Sequence, residues 1–199
     1  MDYLKNYIDG ALRGPIGEAY LDSYEPATGK VYAQIPASDS RDVDQAVEAA
    51  KKAFPTWSRT SLEERHRILY KLSQLLEQHL DEFAAAESRD NGKPVSLATA
   101  VDIPRAASNF RFFATALMQF ASESHHMPNQ GINYTLRQPI GIVGCISPWN
   151  LPLYLFSWKI APALAAGNCV IAKPSEVTPM TAFMLSKLAI EAGFPPGVL

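Results

Sequence analysis

Cysteine is nearly absent. Two in 199 residues are too few for the disulfide-dense scaffold of a small secreted domain, and a chain of this length needs no such staples. A dominant sign of charge is missing too. Eighteen Lys+Arg against 20 Asp+Glu leave −2 with His neutral, a balance that excludes a basic, nucleic-acid-coating protein. Proline and glycine form no tracts, and 47% hydrophobic with 19% charged residues is not the composition of a disordered chain. No long hydrophobic run exists either. The longest apolar stretch, residues 151–166, is interrupted by Pro152, Lys159 and Pro162 and falls short of the ~20 residues a membrane helix needs. Residues 1–10 contain Asp2, Lys5 and Asp9, so they lack the apolar core of an export signal. The expectation is a cytoplasmic protein with neither membrane nor nucleic acid among its partners. No pair among His66, His79, His125 and His126 has helical zinc-site spacing, so no metal is expected. His125–His126 reads as a solvated helix end.

What is present divides into segments. At about 150 residues per domain the length allows one domain and part of another. Residues 1–36 are short and punctuated: Tyr3–Ile8, Ala19–Tyr24 and Val31–Ile35 read as strands, separated by Gly14-Pro15, Pro26 and Thr28-Gly29. They are too short to bury a core and should lie on something larger. Residues 37–127 are helical. Asp39 caps a first helix stopped by Pro55, and Ser61 with Glu64 forms a capping-box pair. Leu69, Leu72, Leu76, Leu80 and Phe83 mark one face of a long second helix that ends at Asn91-Gly92. A third helical stretch runs from Ser96 to about Ser122, with Pro104 breaking or kinking it near Ile103.

The period then changes. In 128–138, Ile132, Tyr134 and Leu136 alternate as in a half-exposed strand. Residues 139–199 spell a buried strand (Gly141–Ile146), a helix (Leu153–Ala166), a second buried strand (Cys169–Ala172) and a helix (Thr178–Ala192). That order is a βαβ unit plus one helix, the start of a parallel sheet covered by helices, and the fold class is α/β. Val198-Leu199 reads as the beginning of a connection, as in a truncated chain.

Ligands of open parallel sheets bind at the carboxyl ends of the strands. The first strand runs into Ser147-Pro148-Trp149-Asn150-Leu151-Pro152 and the second into Lys173-Pro174-Ser175-Glu176. A lysine and a glutamate there suit the hydroxyls of a nucleotide ribose; they also suit ordinary loop charges. Asn150, pinned between two prolines, is placed to offer an amide donor to a developing oxyanion, or simply to form a turn. Arg105, at the Pro104 break, is either a carboxylate clamp with a bidentate fork or a surface salt-bridge partner. Cys145 and Cys169, in apolar strands, read as inert packing. Gly141-x-x-Gly144 is too weak to count as a phosphate loop.

Taken together, Pro139-Ile140-Gly141, residues 147–152, Trp158-Lys159, residues 162–168 and residues 173–176 resemble the aldehyde dehydrogenase superfamily. Tyr7–Gly10, Pro26–Gly29 and Ala53-Phe54-x-x-Trp57 fit it as well. The resemblance implies an N-terminal portion of that fold, with an incomplete Rossmann-like sheet and, in 128–138, a strand of the oligomerisation region. By position, it implies that Asn150 is the oxyanion-hole amide and that Lys159 lies near a proton-relay path. Lys173 and Glu176 would hold the adenosine ribose, while Ile146, Ser147, Pro148, Trp149, Pro174 and Ser175 form the cofactor wall. Leu151, Tyr154, Leu155 and Trp158 would line the aldehyde tunnel. The cofactor would be NAD rather than NADP, since a 2′-phosphate would meet the Glu176 carboxylate. Residues 102–105 with 109–113 resemble the branch that oxidises 2-aminomuconic and 2-hydroxymuconic semialdehydes, in which Arg105 would bind a substrate carboxylate.

The implied activity is NAD-dependent oxidation of an aldehyde through a cysteine thiohemiacetal. The family's nucleophilic cysteine and general-base glutamate lie downstream of these residues, so the chain alone is expected to be inactive. A homo-oligomer, dimer or tetramer, is the implied assembly. Two rivals stand: a non-catalytic nucleotide-binding or assembly fragment, and an aldehyde dehydrogenase for another substrate, such as a betaine-type aldehyde.

Overall fold

Residues 2–199 are described by a computed structural model. Five short strands open the chain: β1 (Asp2–Tyr3), β2 (Asn6–Ile8), β3 (Ala11–Arg13), β4 (Tyr20–Glu25) and β5 (Lys30–Pro36). The single strand expected over Tyr3–Ile8 is two strands, because Leu4 turns inward and is buried. β2 pairs with β3 across the Asp9-Gly10 turn, while β1 and β4 flank β5, with β1 parallel to it. Leu4, Tyr32, Ala33 and Ile35 pack on Met180 and Phe183. The larger body these strands needed is therefore the last helix of the chain.

The helices are α1 (Ser40–Trp57), α2 (Leu62–Gln78), α3 (Leu80–Asn91), α4 (Val95–Leu97), a π-helical turn (Ala98–Asp102), α5 (Ile103–Met118), α6 (Pro152–Ala165) and α7 (Met180–Ala192). Asp39 caps α1 as expected and accepts from the Arg41 N–H. Pro55 does not stop this helix. It sits in the last turn, where its missing N–H leaves unmet only the carbonyl of exposed Lys51, which water can satisfy. Ser61 accepts from the Glu64 N–H at 3.2 Å, but the reciprocal half of the capping box is not made, because the Glu64 carboxylate pairs with Arg67 at 2.6 Å. The long second helix is two helices that meet at His79, whose backbone (φ −102°, ψ 21°) leaves the helical region.

At Pro104 the helical run is not interrupted. The π turn absorbs the register change, with the Ile103 N–H reaching the Ala98 carbonyl, and proline falls in the first turn of α5, where no N–H is required. The helix ends at Met118, short of Ser122. Residues 125 and 126 are not a helix end: they lie on β6 (Ser124–Met127), which pairs with β7 (Gly131–Tyr134) as an exposed hairpin. Ile132, Tyr134 and Leu136 are all exposed, and since every residue of β7 is exposed the strand is open on both faces.

β8 (Ile142–Ile146) and β9 (Cys169–Lys173) run parallel, joined by α6. Their register, Ile142 beside Cys169 and Ile146 beside Lys173, finishes both strands level. Asn168 sets it: its Oδ1 accepts from the N–H groups of Ile140 (2.7 Å) and Gly141 (3.1 Å) just ahead of β8. β8 is less buried than expected, with Gly144 and Ile146 open and Cys145 covered. On the other edge of β9, Val170 donates to the Val198 carbonyl at 2.9 Å. Gly197 permits that approach: it has φ +78°, and a Cβ there would lie 2.5 Å from the Ala49 carbonyl oxygen.

The main core joins α2, α5, α6 and α7 around Leu69, Leu72, Leu76, Ile103, Phe110, Leu153, Ile160 and Leu185, each essentially without solvent contact. Each such side chain contributes about 1.5–3 kcal/mol by leaving water. Among the described residues, no helix is long and apolar enough to cross a membrane.

Candidate active site

The level finish of β8 and β9 places two loops side by side. Past Ile146 the chain is still joined to β9, as the Ser147 N–H donates to the Lys173 carbonyl at 3.0 Å. Beyond that bond one loop carries Pro148, Trp149, Asn150 and Leu151 into α6, and the other carries Pro174, Ser175 and Glu176 towards α7. Ile146, Pro148, Trp149 and Asn150 are exposed, Leu151 and Pro174 are half-buried, and Ser147 and Ser175 are buried. Trp149 leaves 58% of its surface in water, an open apolar plane beside the strand ends.

Lys173 and Glu176 hold each other, with Nζ 2.9 Å from Oε2 and both side chains about three-fifths exposed. Nζ also donates to the Pro174 carbonyl at 3.2 Å. The Glu176 carboxyl is held below the usual range, first by its own backbone N–H and then by Lys173, so it is charged at neutral pH. The Ser147 Oγ, buried at the end of β8, has no hydrogen-bond partner among the described residues. A buried hydroxyl without a partner is costly and calls for a ligand or water to satisfy it. Together with the open Lys173–Glu176 pair and the Trp149 plane, it gives a donor set that fits a nucleotide ribose.

Lys159 is exposed and folds along the surface onto the end of β8. Its Nζ donates to the Ile146 carbonyl at 2.7 Å, closing the last acceptor of β8. The Cys145 thiol contacts the Lys159 carbonyl at 3.8 Å. Burial raises the pKa of both thiols, Cys169 to about 11, so neither supplies a thiolate at neutral pH.

Arg105 makes no ion pair among the described residues. Its guanidinium lies 5.8 Å from the centre of the Tyr154 ring, which replaces the surface salt bridge with a cation–π contact. The Tyr154 ring meets Trp158 edge-on at 6.4 Å, and Trp158 meets Phe113 at 6.0 Å. Arg105 and two of the expected tunnel residues thus form one continuous surface of α5 and α6. Leu155, on the same helix, is half-buried. The two helices are locked beneath by buried Asn109, which donates to Ser157 Oγ (3.0 Å) and to the Tyr154 carbonyl (3.3 Å).

Sequence reasoning missed three organisers of this site. Asn109 entered only as part of the 109–113 stretch that resembles the semialdehyde branch. Asn91 read as a helix stop, yet its side chain donates to the Trp149 carbonyl at 2.9 Å. Thr178 read as a helix start, yet its hydroxyl reaches the same carbonyl at 3.3 Å. A polar residue at a helix terminus is usually explained by capping alone, so only the spatial neighbour reveals the second role.

The Asn150 loop and the Lys173–Glu176 loop thus leave the level ends of two parallel strands, the place where open α/β sheets bind ligands. The model of the aldehyde dehydrogenase family matches residues 15–199, and the chain belongs to that family. It is 54% identical over 98% of its length to 2-aminomuconic semialdehyde dehydrogenase of Homo sapiens and 43% identical over its whole length to 2-hydroxymuconic semialdehyde dehydrogenase of Pseudomonas sp. (strain CF600). It superposes on an NAD+ complex of an aldehyde dehydrogenase from Bacillus cereus with a TM-score of 0.96, at 38% identity over 99% of the chain. The chain spans about 40% of the length of these relatives (40%, 42% and 40%).

Proposed function

We propose that these residues are the nucleotide-gripping and oxyanion-stabilising part of an NAD-dependent aldehyde dehydrogenase acting on a semialdehyde that bears a carboxylate, such as 2-aminomuconic or 2-hydroxymuconic semialdehyde. The observation that carries the reading is the level end of β8 and β9, which sets the Asn150 loop beside the Lys173–Glu176 loop. Lys173 and Glu176 grip the adenosine ribose, and Ile146 to Trp149, Pro174 and Ser175 form the wall. The charged Glu176 carboxylate repels a 2′-phosphate, which favours NAD over NADP. The cofactor, when bound, accepts the hydride.

Asn150 donates its amide to the oxygen that gains charge when a thiolate adds to the aldehyde. The thiolate and the general base belong to the part of the family's length that the chain does not span; the addition gives a thiohemiacetal, which loses a hydride and a proton to become a thioester, and water then cleaves the C–S bond to release the acid and the free thiol. Lys159 stands at the base of the proton path. Leu151, Tyr154, Leu155 and Trp158 line the aldehyde passage, and Arg105 clamps the distal carboxylate. The homology to two semialdehyde dehydrogenases supports this substrate class. The open β6–β7 hairpin, with Ile132 and Tyr134 exposed, serves a homo-oligomer of cytoplasmic enzyme.

Titrating NAD and NADP against the fluorescence of exposed Trp149 and Trp158 tests the grip: NAD is expected to quench with the higher affinity, and equal affinities sink the cofactor preference. In a protein spanning the family's full length, Arg105→Ala should cut kcat/KM on carboxylate-bearing aldehydes by about 10-fold or more while sparing neutral, betaine-type or simple aldehydes. Equal losses remove Arg105 from the substrate site.

One observation favours a second reading of the chain by itself. With both thiols buried and their pKa values raised, it binds dinucleotide or docks to a longer homologue without turning over aldehyde. Accumulation of reduced nicotinamide by the isolated chain is the result that overturns this.

A further inference from the structure

The loop that carries Asn150 belongs to no helix or strand, and Asn150 itself is exposed. Packing therefore does not aim its amide. Between Pro148 and Asn150 the hydrogen bonds among the described residues all fall on one carbonyl. The oxygen of Trp149 accepts from Asn91 Nδ2 at 2.9 Å and from Thr178 Oγ1 at 3.3 Å. That oxygen belongs to the same peptide unit as the Asn150 nitrogen. The unit is planar and stiff, so two donors on its oxygen fix its plane and the direction in which the Asn150 Cα leaves it.

The donors are themselves anchored. Asn91 is the last residue of α3, followed by Gly92 in the left-handed conformation (φ 82°). Thr178 is 2% exposed. One helical turn of α3 secures the start of α7 just beyond Thr178: Asp90 Oδ2 accepts from the Met180 N–H at 2.9 Å, and Glu87 Oε2 accepts from the Thr181 hydroxyl at 2.9 Å. Thr178 also lies two residues past Glu176. The same carbonyl therefore ties the asparagine loop to the lysine–glutamate loop.

We propose that Asn91 and Thr178 are positioning residues that aim the Asn150 amide through the Trp149 carbonyl, so that the terminus of α3 sets the geometry of the oxyanion donor. The proposal rests on the reading of Asn150 as that donor. Neither residue touches the aldehyde, and the effect of each is conducted through a single peptide plane.

The test is an NMR comparison of the isotopically labelled 199-residue chain with Thr178→Val, Asn91→Asp and Thr178→Ser. Thr178→Val removes only the donor at constant shape, and Asn91→Asp replaces a donor by an acceptor. In the native chain the Asn150 N–H dipolar coupling fits the alignment of α6. In Thr178→Val and in Asn91→Asp the Asn150 N–H coupling and its side-chain NH2 resonances shift or average, while the couplings of α6 and α2 stay in place. Thr178→Ser restores the native values, which general loosening of the fold would not allow. An Asn150 N–H that keeps its orientation in both donor-loss variants overturns the proposal. The reading of Asn150 fails separately: it is lost if Asn150→Ala leaves kcat intact in a full-length enzyme, whatever the NMR shows about the carbonyl.

Discussion

Two clusters in this molecule pair a lysine with carboxylates, at opposite extremes of burial. Lys93 is 7% exposed and lies 2.8 Å from Asp102 and 3.5 Å from Glu87, whose side chains are 1% and 0% exposed. Lys173 and Glu176 make a 2.9 Å pair with 61% and 62% exposure. The chemistry is the same, but the consequences differ. In the interior each charge must be matched, since removing one partner strands the other in a medium that cannot solvate it. At the strand ends water screens both partners, the pair adds little to stability, and the groups remain available to a ligand. Buried charge here fixes the junction of α3, the π turn and α7; exposed charge waits at the cleft.

Removing the interior cation should have the largest effect. Lys93→Met leaves two carboxylates without their partner and should lower the unfolding free energy by about 3–5 kcal/mol at pH 8, read by urea denaturation. A loss as small as that of a surface pair would erase the contrast. The sharpening experiment is a double variant: adding Glu87→Gln should recover part of the loss, because one of the stranded charges is gone.

A pH series comes next. Burial raises the Glu87 carboxyl to about 7 and the Asp90 carboxyl to about 6, Asp90 also accepting from the Tyr32 hydroxyl. Their ordinary values are near 4, so between about pH 4 and pH 7 the folded state holds protons that the unfolded chain releases. Their contribution to stability is therefore greatest at acid pH and declines as pH rises through that window. Exposed Glu64 and Glu176 act with the opposite sign, their pKa values being lowered. Glu87→Gln should flatten the decline in calorimetric scans at pH 5 and pH 7. An unchanged slope assigns the pH dependence elsewhere.

The smallest effect on stability is expected at the cleft. Lys173→Ala should change the unfolding free energy by less than about 1 kcal/mol, while NAD affinity, followed by Trp149 fluorescence, falls by at least about tenfold. Large destabilisation with intact binding would reverse the roles assigned to the two clusters.

Much of this arrangement was legible in residue order, and the misreadings share a cause. The α/β class, the βαβ unit and the two polar strand-end loops follow from local period and punctuation, which the chain writes consecutively. The inert character of Cys145 and Cys169 followed from their apolar neighbours. What was lost depended on partners far along the chain. Pro55 stays helical because the carbonyl it leaves unmet belongs to a solvated residue. His125 and His126 extend as a strand because residues 131–134 pair with them. Leu80 and Phe83 fit the face of the preceding helix by spacing, and only the backbone turn at His79 separates them. At the site, Arg105, Tyr154 and Trp158 were each named, but their contact arises from α5 packing across α6 over Asn109. Asn91 and Thr178 went unseen because their roles consist entirely of reaching Trp149, 58 and 29 positions away.

The lysine–glutamate pair at the mouth of the cleft has one further implication. On the function proposed above, the ammonium already uses two of its three donors on the Glu176 carboxylate and the Pro174 carbonyl, so a ribose hydroxyl bound by this carboxylate shares or displaces an existing bond. The guest therefore exchanges contacts, and the enthalpy gained is the difference between two good partners. Such an internal rival tempers tightness and keeps the loop ordered between visits, a combination suited to a carrier that must leave after each round.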